Sequence, residues 1–273
     1  MVEASRRRLL LALALLTLAI IGLSGWGFSR LPLSHVGPAQ QPITPAQLRS
    51  AAATLTIFVA FMFSGVLALG SVLVAAPSIS ADIESGIMLA VLPRPIRRVE
   101  LLLGKWLGLL FLVALYAVLA STLELLAIRL TTGYLPPDPV AGVALITAEG
   151  SVLMTLALLL STRLAPMTGG IIALVGFFVA WMGGIAEGFG RSFNNSTIES
   201  IGLGSRLLLP TDGLWRDAVY ALQPDFLRTL GRQAAGSPFN AADPQPVSFL
   251  VWVAFWLCAL LALSSFSFAR RDL

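Results

Sequence analysis

Two carboxylates stand inside long apolar runs, and they are the side chains of this sequence best placed to do chemistry. Glu124 interrupts "ASTLELLAIR" and Glu149 interrupts "VALITAEGSVLM". A carboxylate at membrane depth is costly and usually faces a cavity or a partner. Two readings stay open. Either both line a translocation path, or both sit near water, with Glu149 at the interface and Glu124 paired near Arg129. A catalytic use of the pair lacks supporting residues. The sole histidine, His35, lies in a loop between Pro32 and Pro38, so no Ser/His dyad and no Cys/His metal cluster can form. The sole cysteine, Cys258, lies in an apolar run, reads as a small buried residue and has no partner for a disulfide. "LLLGKW" ends in Gly104-Lys105, but a phosphate loop needs glycine where Val99 stands and Ser or Thr where Trp106 stands. The sequence therefore reads as a non-catalytic chain with no cofactor or metal of its own.

What must position these residues is a set of helices in lipid. Of the 273 residues, 57% are hydrophobic and 12% charged, against about 25% charged in an ordinary soluble domain. Mean hydropathy is +0.86. So much apolar surface does not fit inside one globular core. Apolar runs predict six spans in a single transmembrane domain over 1–273, at about 9–28, 51–76, 106–128, 143–162, 169–186 and 247–268. Every backbone group in lipid must find its partner within the protein, so the fold class is an all-α membrane protein. A β-barrel would show short alternating segments instead. Arg6, Arg7 and Arg8 before the first run resemble the start of an export signal, but no small-residue cleavage site follows, and the run reads as a retained span.

Charge orients the spans. Net charge is +4. Basic residues gather at Arg6 to Arg8, Arg94 to Lys105, Arg163, and Arg270 with Arg271, which puts both termini in the cytoplasm. The short external loops carry only Arg30, Arg49 and Arg129. No basic run is interleaved with aromatics, so nucleic acid is not an expected partner. Membrane lipid is.

Two segments between spans are unlike plain loops. Residues 78–105 have an acidic start, an apolar face and a basic end, with Pro77 expected to close the second span before them. Such an element can lie on lipid or dock onto a cytoplasmic partner. Residues 187–246 are too apolar for a loop and too short in each run to span. There Trp215, Val219, Leu222 and Phe226 recur at helical spacing, with Asp212 expected as the cap and Pro224 near the end. That stretch reads as an interfacial helix with a Trp anchor, or as a re-entrant piece.

The first segment resembles the signature of type-2 ABC exporter permeases. An acidic residue and glycine lead through an apolar helix to Pro-apolar-x-Arg, then to Gly-Lys opening a span. Here these are Glu84, Gly86, Pro95, Ile96, Arg98, Gly104 and Lys105. "LPTDGLWRDAVYALQP" is similar to the family's helix before the last span, through Pro210, Asp212 and Arg216, and "FARRDL" is similar to its ending. Leu89 stands where family members often carry a second acidic residue, and Pro93-Arg94 alters the helix end. The resemblance implies a coupling helix near 79–92 seated on a separate ATP-binding-cassette subunit, which would carry ATP and Mg. Asp82, Glu84, Gly86, Pro95, Arg97, Arg98 and Lys105 would serve that contact. It also implies a re-entrant external hairpin, with Pro210, Asp212, Trp215 and Arg216 as gate residues, and a dimer with a second permease in the cytoplasmic (inner) membrane. Against it stands a secondary transporter or channel, which often shows broken or polar spans and internal repeats; the ionisable residues here are expected to avoid span centres. No residue selects a substrate.

Overall fold

The computed structural model describes residues 2–33, 35–36, 41–86, 97–231 and 237–271. The described residues form α1 (Val2–Arg30), α2 (Pro45–Ala75), α3 (Pro77–Glu84), α4 (Arg98–Thr132), α5 (Pro139–Ser161), α6 (Pro166–Ser192), α7 (Ser196–Leu208), α8 (Thr211–Leu222), α9 (Asp225–Gly231) and α10 (Val247–Ala269). A two-residue antiparallel pairing, His35 with Pro42 and Val36 with Gln41, closes the loop after α1. Among the described residues six helices are long and apolar enough to cross a membrane: α1, α2 continued by α3, α4, α5, α6 and α10. The chain is an all-α membrane protein.

Local chemistry sets the ends of these helices. Thr44-Pro45-Ala46-Gln47 starts α2 earlier than its apolar run does. The Thr44 hydroxyl accepts from the Gln47 amide (3.3 Å), and the Gln47 side chain accepts from the Thr44 amide (2.9 Å). Asp138 accepts from Ala141 N–H (3.0 Å) with Pro139 at the first helical position, which starts α5. Asn195 accepts from Thr197 and Ile198 to start α7.

Pro77 does not close the second span. It occupies the first position of α3 while Ala76 stays helical, so the chain runs on to Glu84. A proline there removes only its own N–H. The hydroxyls of Ser78 and Ser80 bond back to the carbonyls of Ala75 (2.6 Å) and Ala76 (3.1 Å) across the junction.

The core centres on α5. Val152, Leu153, Met154, Ala157 and Leu158 have no exposure at all. A helix apolar on every side is stable only when surrounded, and α2, α4, α6, α8 and α10 surround this one. The outer spans turn apolar side chains such as Phe111, Phe178, Val179 and Met182 outward, as lipid requires. Cys258 is exposed on α10 rather than buried; in a spanning helix an outward thiol meets lipid and incurs no polar cost.

Candidate functional site

Residues 196–222 fold back between the spans as a helical hairpin. α7 descends along α6, and glycines set how closely. A Cβ on Gly202 would come within 2.5 Å of the Glu187 Cβ, and one on Gly183 within 2.5 Å of Ser205, so the two helices touch through their backbones. Leu209, at the turn, reaches Gly176. Gly176 precedes the end of α6 at Ser192 by sixteen residues, which is ~24 Å of helix. The turn therefore lies deep in the bundle, and α8 climbs back along α5 until Ala221 accepts from Asp138 N–H (3.1 Å).

Such a turn buries helix ends that would normally face water. The last carbonyls of α7 have no partner within the helix, and lipid supplies none. Two indoles from α10 fill the role: Trp252 donates to Leu207 O (3.2 Å) and Trp256 to Leu208 O (2.9 Å). The opposing start of α8 places Asp212 in its first turn, where a negative charge suits the helix pole. Asp212 does not cap the helix through its side chain. It accepts from Arg216 Nε one turn on (2.8 Å), and Arg216 Nη2 donates to Gly184 O (2.6 Å). A Cβ on Gly184 would fall 2.1 Å from this carboxyl, so only glycine leaves room for it. Burial raises the Asp212 carboxyl above its ordinary value, and Arg216 offsets that only in part.

Trp215 is buried and donates to Pro238 O (2.7 Å), so it is a core residue and not an interfacial anchor. Its ring meets Phe61, which also meets Trp181 and Phe239. This aromatic cluster joins α2, α6 and α8. Val219 and Leu222 continue the buried stripe, whereas Phe226 falls beyond the end of α8 at 41% exposure. Pro210 forms the turn itself.

A charged network locks the upper part of the hairpin, and the sequence alone did not indicate it. Glu187 is 1% exposed and accepts from both Arg191 and Arg206. Arg191 also pairs with Glu199 (3.2 Å). Arg206 continues to Gln245 Oε1 (2.9 Å), and Gln245 N–H donates to Asp217 (2.6 Å). Burial pushes the Asp217 carboxyl up, against this amide bond and Arg206. Glu187 and Arg191 at i, i+4 were readable as a pair; Arg206 and Gln245 come from distant stretches, with no local signal.

The two membrane carboxylates lie apart. Glu149 is 2% exposed and accepts from Ser64 of α2 (2.7 Å), within electrostatic reach of Asp212. It stands ten residues into α5, ~15 Å from its start, so it is neither interfacial nor clear of the span centre. Glu124 accepts from Ser24 of α1 (2.9 Å) and does not pair with Arg129. Its other oxygen has no partner among the described residues, and Glu124 borders a cavity of about 30 Å3 with Thr56 and Ser121, large enough for a water.

At the edge of the bundle expected to face the cytoplasm, Lys105 pairs with Asp82 and donates to Ser78 O, binding α3 to α4. Glu84 is exposed at the end of α3, and Gly86 adopts φ 73° beyond it, a left-handed turn that suits glycine. Ile79 and Ser80 are buried, so the expected coupling helix begins inside the bundle. Its last part from residue 87, which includes Leu89, lies outside the described residues, as do Pro93, Arg94, Pro95 and Ile96 beyond it. Arg97 is exposed at the start of α4, where its N–H donates to Glu100 (3.1 Å). Arg98 turns inward and donates to the carbonyls of Ala269 (3.1 Å) and Arg271 (2.8 Å). Arg163 bonds the Ser267 hydroxyl (3.0 Å) and carbonyl (3.1 Å) at the same helix end.

Comparison with curated proteins gives no match. The sequence model of the family described as ABC-2 family transporter protein matches residues 4–273. That match spans the six helices, the α3–α4 edge and the hairpin alike, and the chain belongs to the ABC-2 family of transporter proteins, as a membrane permease of the ABC-exporter type.

Proposed function

We propose that this chain is the permease subunit of an exporter driven by ATP hydrolysed on a separate ATP-binding-cassette subunit. It pairs with a second copy or a related permease in the cytoplasmic membrane, termini inside. The observation that carries the reading is the Asp82–Lys105 pair. The segment expected to meet the ATPase leaves from α3, and this pair makes α3 and α4 respond together. Asp82, Glu84 and Gly86 lead into the contact, Arg97 stands exposed beside it, and Arg98 passes displacement of α4 to the end of α10. Above them, the hairpin with Pro210, Asp212, Trp215 and Arg216 closes the far side of the path. The absence of a phosphate loop around Lys105 supports placing ATP on another polypeptide.

The test is copurification of the tagged full chain from its native membrane. An ATP-binding-cassette subunit should come with it, and Asp82→Asn should lower permease-stimulated ATP hydrolysis. Both side chains of the pair are partly exposed (21% and 32%), so stability should change by less than about 1 kcal/mol. Recovery of the intact permease without such a subunit would overturn the proposal.

A further inference from the structure

Between α4 and α5 a groove opens toward lipid at the ends of these helices remote from the termini. Its volume is about 630 Å3, within the roughly 300–1,000 Å3 of small-molecule sites. On α4 it is lined by Val118, Thr122, Leu125 and Arg129, at the three- and four-residue steps of one helical face. Val140 and Ala144 line it from α5.

Three observations identify what fits. First, length: Arg129 lies eleven helical steps beyond Val118, or ~16 Å of helix, and half of a ~30 Å hydrocarbon core is ~15 Å. The groove is as long as one leaflet is deep. Second, polarity: its walls are apolar along that length but for the small hydroxyls of Thr122 and Thr147, no acidic residue lines it, and Arg129 stands at the outer end. Third, availability: Arg129 is exposed and its guanidinium makes no hydrogen bond or ion pair among the described residues. An unpaired guanidinium at the end of an apolar, leaflet-deep groove complements a phosphate with an acyl chain attached.

We propose that this groove binds one phospholipid of the leaflet opposite the termini. One acyl chain lies between α4 and α5, the phosphate sits on Arg129, and anionic headgroups are preferred. A second protein copy would need an acid to meet Arg129, whereas every phospholipid brings a phosphate.

The test is native mass spectrometry of the detergent-purified full chain with dioleoyl phosphatidylglycerol or phosphatidylethanolamine. The unaltered chain should retain one phosphatidylglycerol in preference. Arg129→Gln should weaken that retention roughly tenfold, the scale of one charge-assisted contact, and abolish the preference. Ala144→Trp, which fills the groove floor, should remove both lipids. Equal phosphatidylglycerol retention by Arg129→Gln and the unaltered chain would overturn the proposal, and this exposed substitution leaves folding intact. So would an Ala144→Trp chain whose self-association changes while its lipid retention does not, since that result assigns the groove to a second copy.

Discussion

Replacing Glu187 with Gln removes the one charge that serves two arginines. Glu187 and Arg206 are 1% and 8% exposed, so Glu187→Gln strands a buried guanidinium. Removing one partner of a buried pair costs about 3–5 kcal/mol. Arg206 keeps Gln245 at 2.9 Å, which favours the lower end. Arg191 has a 57% exposed side chain and keeps Glu199, so it adds less than about 1 kcal/mol. A total near 3 kcal/mol corresponds to a fall in midpoint of roughly 10 °C for a chain of this size. Removing both charges at once, as Glu187→Leu with Arg206→Met, should cost much less, because desolvation offsets most of the attraction. Thermal unfolding in detergent, followed by tryptophan emission, reads this directly, since Trp215, Trp252 and Trp256 touch the hairpin. The reasoning fails if the double variant is as unstable as the two single losses summed, or if Glu187→Gln moves the midpoint by less than about 2 °C.

Trp256→Phe should lower stability by about 1–3 kcal/mol, the cost of leaving a buried carbonyl unpaired, with the same unfolding assay as readout; an unchanged midpoint would mean that Leu208 O finds another donor. The pH dependence of the hairpin follows from Asp212. Its folded-state value lies above its ordinary 3.8, so the folded state holds a proton that the unfolded state releases, and stability should rise as pH falls through the raised value, levelling off below 3.8. Asp212→Asn should flatten that rise, measured as midpoint against pH; an equally steep profile in the variant would assign it elsewhere.

Hydropathy made the spans legible, because twenty consecutive apolar residues have few alternatives to a transmembrane helix. What it could not locate were helix ends, which depend on capping chemistry outside the apolar run: Thr44 and Gln47 lengthen α2, and Pro77 fails to end it. The hairpin was legible in outline from the short apolar runs and the Trp215–Val219–Leu222 stripe. Its fastening was not, because Arg206, Gln245, Trp252 and Trp256 act across 39 to 48 residues of sequence. Of the two readings open for Glu149, the interfacial one fails for a related reason. Its depth is tolerated through Ser64, a residue of another helix that carries no pattern of its own.

The last span has two attachments, one at each level of the bundle. Its lower end is gripped by Arg98 and Arg163, and twelve residues higher than Phe268, ~18 Å up, Trp256 grips the hairpin turn. α10 is thus a tie rod. The start of α4, the end of α5 and the turn of the hairpin are all fastened to this one helix. Both grips are sets of directional bonds that a carbonyl either has or lacks. Each grip can therefore be removed at a named side chain, Arg98 or Arg163 below and Trp256 above, while the other stays in place.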